Sequence, residues 1–362
     1  MRTNWWMMPW ALLLTVMTVF PVSEVAASGP SSDTSAKLWR IESRLIPAPQ
    51  GVSDELREAI AKASRPDVKS RKAAAPKTQA QWRAEISRRA KIDEVSLAEM
   101  EATYGVSITP GLIDGVAVHH VKPNTPNPVH AGHLFICLHG GAYVYNGGNA
   151  SAGEAALISG RVGIAAVSID YRMPPDHPFP AAVDDVVAVY RMLLKDHAPG
   201  SMAIGGTSAG GGLALAAIHQ FKAMGLPITG AIYAGTPWAD LTQTGDTLFT
   251  NEGIDRVLVT YNGSLGAAAR LYADGEDLRN PLLSPLYGDF ADFPPTYLVT
   301  GTRDMFLSDV ARTHRKLRQA GVVAELNVYE GMSHADYALV LESPESAQVY
   351  AELGAFLAKY LH

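Results

Sequence analysis

Two rhythms of apolar residues divide this chain. From Gly111 onward, short unbroken apolar runs alternate with longer stretches whose apolar residues recur at helical spacing. The runs are 133–139, 163–170, 201–206, 228–234, 296–300 and 323–329, and the helical stretches include 181–197, 209–224, 308–319 and 346–361. A run of four to eight apolar residues without polar alternation suits a strand buried on both faces, and helices between such strands act as crossovers. The pattern predicts an α/β fold, a mostly parallel central sheet with helices on both faces. Residues 116–121 alternate instead, as a half-exposed strand does. The spacing breaks once, over 239–295, which is too long for a plain crossover and reads as an insertion.

Before Gly111 the rhythm is different. Residues 31–105 form short helical patches broken by Pro47, Pro49, Pro66 and Pro76. Between Lys62 and Lys91 ten Lys/Arg stand against Asp67 and Glu85. No apolar face accompanies them, so a solvated helical face plus linker is the reading rather than a membrane-surface or polyanion patch. The first residues carry Arg2, an apolar run over 5–22, and the small residues Val25-Ala26-Ala27. That is the charged, apolar and small-residue order of a signal peptide, here 1–27. The expectation is an exported protein, periplasmic or extracellular. An uncleaved anchor or a mis-assigned start are the competing readings; the run is short for a span and holds Pro9 and Pro21. No cysteine is present there to carry a lipid. The chain is thus divided into a leader (1–27), an N-terminal helical segment (28–110) and a sheet domain (111–362) that contains the 239–295 insertion.

Composition narrows the function classes. With 362 residues, 47% hydrophobic and 18% charged, the chain is no collagen, coiled coil or disordered tail and has ample length for a core. A net charge of -6 offers no basic footprint for nucleic acid. The single cysteine, Cys137, allows no intrachain disulfide and no cysteine-built metal site. His119 and His120 are adjacent on a strand and face opposite sides. No metal is expected, and no further stretch is long and apolar enough to cross a membrane.

Chemistry collects where parallel strands end. After the 201–206 run comes Gly206-Thr207-Ser208-Ala209-Gly210, a G-x-S-x-G between strand and helix, the turn that lifts a serine hydroxyl above a sheet. A phosphate-cradling loop is the alternative, but the Gly-Lys-Ser/Thr ending and the G-x-G-x-x-G spacing are both missing. After 133–139 comes His139-Gly140-Gly141-Ala142-Tyr143, whose Gly140 and Gly141 N–H groups, with that of Ala209, are candidates to surround an oxyanion. His139 reads as a structural residue that holds this loop. After 296–300 comes Asp304, and after the last strand His334. The order Ser208, Asp304, His334 is that of the α/β-hydrolase triad: nucleophile, orienting acid, general base. Asp309 is a rival acid but suits the start of the next helix. Cys137, inside a strand, reads as an inert buried thiol. Tyr143, Tyr145, Trp82 and Trp238 are candidates to line a substrate pocket.

The His139-Gly140-Gly141 turn, the stretch from Asp170-Tyr171-Arg172 through Pro175-Asp176-His177-Pro178-Phe179-Pro180-Ala181, and the Gly206-Thr207-Ser208-Ala209-Gly210-Gly211 elbow resemble the hormone-sensitive-lipase-like family. These are bacterial esterases and related lactone hydrolases of the α/β-hydrolase superfamily. The resemblance runs from about Ile46 to the C-terminus. It implies an α/β-hydrolase fold, the triad and oxyanion groups just named, and a cap built from the N-terminal helices and the insertion. It further implies a serine carboxylesterase for short or medium acyl esters, with no cofactor. Three positions depart from the commonest pattern: Thr207 for Asp, Ala142 for a third glycine, and Pro174-Pro175-Asp176 for Ala-Pro-Glu. They leave the branch open. The N-terminal segment is similar to that of monoterpene ε-lactone hydrolases, so lactone or amide hydrolysis through the same triad is the alternative. A non-catalytic binder, as the related plant gibberellin receptors are, is disfavoured because His334 is present. The expected partner is a small ester or lactone, with neither nucleic acid nor a stable membrane span, and a homodimer is left open.

Overall fold

The computed structural model describes residues 43, 45–92 and 94–362. The chain divides into two units, 1–46 and 47–362, and everything below concerns the second. The predicted leader lies outside the described residues.

Four helices come first: α1 (Asp54–Lys62), α2 (Val68–Ala73), α3 (Gln79–Ile92) and α4 (Leu97–Tyr104). Ser96 and Glu99 cap α4 reciprocally, and Gly105 ends it in the left-handed region, which glycine adopts without strain. Next come β1 (Val106–Ile113) and β2 (Val116–Pro123), then β3 (Leu134–Leu138), α5 (Ala152–Val162), β4 (Ala165–Ile169), α6 (Ala181–Leu193), β5 (Met202–Thr207), α7 (Ala209–Ala223) and β6 (Ala231–Gly235). The insertion holds α8 (Thr247–Thr250) and α9 (Gly266–Ala273), and β7 (Thr296–Gly301), α10 (Leu307–Gln319), β8 (Ala324–Tyr329), α11 (Asp336–Leu339) and α12 (Pro344–Tyr360) close the chain. The sheet order is β1-β2-β4-β3-β5-β6-β7-β8. β2 pairs antiparallel with both β1 and β4, and the remaining pairs are parallel.

The apolar runs work as expected because each strand sends alternate residues to two separate cores. Ile136, Leu138, Ile204, Ile232 and Leu298 join one core with Val186, Leu213 and Leu317 of α6, α7 and α10. Phe135, Cys137, Ala203, Tyr233 and Val299 join the other with Ile158 of α5 and Leu353 of α12. Both faces are covered, so no position could be polar without losing contact with water.

Two expectations about the N-terminal region are corrected. The expected boundary at 110/111 falls inside β1. That strand alternates between buried (Val106, Ile108) and exposed (Ser107, Thr109), but Pro110 and Gly111 break the pattern. The sheet edge, where β1 lies, tolerates proline. Nor do all the N-terminal helices roof the site. Leu56 of α1 packs into the core beside α12, and the Ser53 N–H and hydroxyl donate to Glu345 at 2.7 and 2.6 Å. Among the described residues no helix is long and apolar enough to cross a membrane.

Candidate active site

Ser208 joins β5 to α7 with φ 63° and ψ -123°, a backbone region that non-glycine residues rarely adopt. Crowding on both sides holds it there. A Cβ on Gly206 would lie 1.9 Å from the Leu138 carbonyl oxygen, and one on Gly210 1.8 Å from the same atom. The turn presses on the end of β3, so only glycine fits at these two positions. The Ser208 N–H donates to the Gly235 carbonyl at 2.8 Å, and its own carbonyl accepts from Trp238 at 2.9 Å and Gly212 at 3.0 Å.

Asp304 follows β7 and His334 follows β8. The fold brings His334 Nδ1 to 3.2 Å from Asp304 Oδ1. Asp304 is buried and fully engaged. Its Oδ1 also accepts the Phe306 N–H at 2.8 Å, and Oδ2 accepts the Thr300 hydroxyl at 2.9 Å and the Thr236 hydroxyl. With Nδ1 committed to the carboxylate, Nε2 is the imidazole's free nitrogen. Phe306 meets the ring edge-on, centroids 4.9 Å apart. Burial alone would lower the His334 pKa. The Asp304 charge and hydrogen bond, followed by Asp255 and Asp336, outweigh it and hold the imidazole above its ordinary value. Asp309 lies in the first turn of α10 and accepts the Asp240 N–H at 3.0 Å; its bond runs to that segment rather than to His334.

The loop after β3 is rigidly tied. Its turn needs Gly141, where φ is 117° and a Cβ would sit 2.5 Å from the Tyr145 carbonyl oxygen. The Val144 and Tyr145 N–H groups both donate to the Gly141 carbonyl, at 3.0 and 2.9 Å. His139 stacks flat on Tyr171 at 4.1 Å and reaches the Gly140 carbonyl through Nδ1 at 2.8 Å, while the Tyr171 hydroxyl donates to the His139 carbonyl at 2.7 Å. Burial pushes the His139 pKa down to about 4, so the ring is neutral and Nδ1 donates. Of the three expected oxyanion donors, the Gly140 N–H lies on the side of the Glu154 carboxyl, whose charge it favours. Among the described residues the N–H groups of Gly141 and Ala142 donate to no protein acceptor. That of Ala209 belongs to the first turn of α7, where N–H groups lack helical partners.

A cavity of about 930 Å³ opens over Ser208 and His334, roofed by Arg71 of α2, Arg89 of α3, Met100 of α4 and Leu258 and Leu265 of the insertion. Of the four candidate aromatics, Tyr145 is in its wall. The other three are core residues. Trp238 is fully buried between Phe306 and Tyr143. Tyr143 stacks on Tyr272 with centroids 4.0 Å apart. Trp82, 3% exposed, packs with Val144 and Ala268 and fastens α3 to the β3 loop.

A sequence model described as "alpha/beta hydrolase fold" matches residues 135–338. The chain belongs to that family. An acetyl-hydrolase of Streptomyces hygroscopicus is 32% identical over 71% of this chain and 85% of its own. The crystal structure of an esterase E25 superposes with a TM-score of 0.87 at 47% identity, covering 90% of this chain and 99% of that one. An esterase from the bacterial hormone-sensitive lipase family gives 0.69 at 29% identity, covering 86% and 99%. The protein is therefore a carboxylesterase of the hormone-sensitive-lipase-like branch, as its motifs implied.

Several residues of this hydrolase site were not singled out from sequence. Thr236 is the first residue past β6, and its hydroxyl reaches both Asp304 and, at 3.1 Å, His334 Nδ1. Its place directly after a strand is the signal that finds Ser208, Asp304 and His334. Asp255 had no such signal, because it sits within the irregular insertion. It is buried and accepts the N–H groups of Val257, Leu258 and Met305 at 2.8, 3.0 and 2.9 Å. Burial, followed by the Asp304 charge, pushes its carboxyl up to about 6.

Proposed function

We propose that this carboxylesterase cleaves short and medium acyl esters through an acyl-enzyme on Ser208. The Ser208 Oγ attacks the ester carbonyl while its proton passes to His334 Nε2. The negative charge on the former carbonyl oxygen rests on the N–H groups of Gly141, Ala142 and Ala209, a set that takes Ala142 in place of Gly140. As the C–O bond breaks, His334 returns its proton to the departing alcohol oxygen. A water, deprotonated by the same nitrogen, then attacks the acyl carbon; the carboxylic acid leaves and Ser208 regains its proton. Asp304 keeps the Nδ1 proton in place and offsets the imidazolium charge.

The observation that carries this reading is the 3.2 Å His334–Asp304 contact under one cavity with the strained Ser208 turn. The acetyl-hydrolase relative supports a short acyl group. The test is a panel of p-nitrophenyl esters, lactones and anilides with wild-type protein and Ser208→Ala. Ester turnover that survives in Ser208→Ala refutes the nucleophile, and a preference for lactones or anilides replaces the substrate class. Export with loss of residues 1–27 belongs to the same reading, and the mass of the exported protein decides it.

A further inference from the structure

The insertion does more than roof the cavity. Two of its residues, Asp255 and Arg256, tie it to the loop that carries Asp304 and to the loop that carries His334, and ester hydrolysis as just described gives neither a part. On the acid side, Asp255 Oδ2 accepts the N–H of Met305, the residue after Asp304, at 2.9 Å. The Asn251 side-chain amide donates to the Asp304 carbonyl at 2.8 Å. The peptide unit between Asp304 and Met305 is thus held by the insertion at both its C=O and its N–H.

On the base side, the Arg256 N–H donates to the hydroxyl of Ser333, the residue before His334, at 3.1 Å. The Arg256 guanidinium forms an ion pair with the buried Asp336 carboxylate just beyond His334. Asp336 Oδ2 accepts the Ser333 N–H at 2.8 Å and closes the turn around the histidine. Asp255 Oδ1 accepts the Val257 and Leu258 N–H groups at 2.8 and 3.0 Å, a side-chain-to-backbone turn that stiffens the segment. The sheet leaves this job open. A 3.0 Å bond from the Arg303 N–H to the Met332 carbonyl carries the main-chain links between the two loops up to the residue before Asp304, and beyond it no main-chain hydrogen bond joins them among the described residues. A buried carboxyl costs stability unless its oxygens are satisfied. Asp255 is satisfied by N–H groups that belong to its own turn and to the acid loop.

We propose that Asp255 is a positioning residue of the esterase: with Arg256 it braces the Asp304 loop against the His334 loop and so fixes the contact between the two side chains. The proposal rests on the Ser208 reading. Displacements of about 1 Å in such a geometry cost up to roughly 100-fold in rate. Besides Asp304, the charged groups that face His334 are Asp255 and Asp336, the latter paired with Arg256. Asp255 therefore acts on the imidazole by charge as well as by position, and the experiment separates the two.

Asp255→Asn keeps the shape. Its carbonyl oxygen can accept both the Val257 and Leu258 N–H groups, which leaves its NH₂ facing the Met305 N–H, so the turn persists and the tie to the acid loop is lost. Ser333→Ala removes the hydroxyl that ties Arg256 to the base loop and changes no charge. On p-nitrophenyl acetate, kcat should fall about 10- to 100-fold in Asp255→Asn and about 3- to 10-fold in Ser333→Ala, with KM within about twofold of wild type in both. Each variant is then combined with Asp304→Asn. A brace that works by holding the Asp304 carboxylate has little left to hold in that background, so the added loss should shrink to less than about threefold. An equal loss with and without the Asp304 carboxylate overturns the proposal, because the charge of Asp255 or general damage would act in both backgrounds. Wild-type kcat in either single variant also overturns it, as does a change confined to KM. Should Asp255→Asn fail to fold, Ser333→Ala with and without Asp304→Asn carries the same comparison. Ser208→Ala is assayed alongside; turnover retained there refutes the nucleophile whatever the Asp255 variants do.

Discussion

Replacing Asp304 by Asn isolates the electrostatic share of the triad, because the surrounding hydrogen bonds allow the geometry to persist. The Phe306 N–H points at Oδ1 and requires an acceptor there, so the Asn carbonyl oxygen must take that side. His334 Nδ1–H then keeps an acceptor at the same atom. The amide NH₂ falls opposite the Thr236 and Thr300 hydroxyls, which can rotate to accept. What disappears is the charge. At 3.2 Å and an effective dielectric of ~20, a carboxylate and an imidazolium attract by about 5 kcal/mol. If the imidazolium is fully formed in the transition state, that is roughly a 10⁴-fold loss in kcat. The acid limb of the pH–rate profile should move as well. In wild type it lies above the ordinary imidazole value because the Asp304 charge and hydrogen bond lead the groups that outweigh burial. Without that charge burial dominates, and the limb shifts to lower pH. Stopped-flow turnover of p-nitrophenyl acetate from pH 5 to 9 reads both effects. A variant within tenfold of wild-type kcat, or with an unmoved limb, refutes Asp304 as the partner of His334.

Gly210→Ala should cripple turnover. The added Cβ would stand 1.8 Å from the Leu138 carbonyl oxygen, against a contact of about 3.3 Å at closest, so the turn must retreat by more than 1 Å; a kcat loss of at least about 100-fold is expected, and near-normal kinetics would disprove the crowding argument. The aromatics should separate by role. Trp238→Ala is expected to cost about 3–5 kcal/mol in a denaturant melt, whereas Tyr145→Ala should change KM and acyl preference with little change in stability; the reverse assignment would show that the cavity wall is wrongly drawn.

Much of the fold was readable because a sheet covered on both faces leaves the same mark on each strand. Every interior run, from 133–139 to 323–329, overlaps the strand found there, and β5, β6 and β7 each run one residue further, to Thr207, Gly235 and Gly301. β1 escaped because Pro110 and Gly111 interrupt its alternation, which a sheet edge permits and an interior strand would not. The residues placed at strand ends could be found by position alone. Residues held by the insertion could not: Asp255 reaches Met305 across 50 residues of chain that pass through α9 and β7. Trp238 and Tyr143 were misassigned for a related reason. Their neighbours in sequence belong to the site, but their side chains point below it, and a large aromatic is as useful under a catalytic loop as above one.

Three groups around the site hold their protons more tightly in the folded protein, and this sets part of its stability against activity. His334 is held above its ordinary value, Asp255 is pushed up to about 6 and Glu154 up to about 7. Each binds its proton more tightly folded than unfolded, so each makes the folded state less favoured as pH rises. The His334 contribution is complete below its unfolded value near about 6.5 and is lost as pH rises through the folded one. The two carboxyls carry no penalty below their unfolded values near about 4 and the full penalty above about 6 and 7. Carboxylates shifted the other way, such as Glu85 beside Arg88 and Asp67 beside Ser70, lose their contribution only as pH falls below about 4.5. His139 and His219, both pushed down to about 4 by burial, act in the opposite sense and cost stability as pH falls below about 6.5. Turnover, which needs neutral His334, climbs above pH 6, where the Glu154 penalty sets in. Calorimetric melts at pH 5 and pH 8 should isolate that penalty: Glu154→Gln, which cannot ionise, should gain Tm over wild type at pH 8 and not at pH 5. A variant with no relative gain at pH 8 would mean that the Glu154 proton affinity is not what burial at the site makes it.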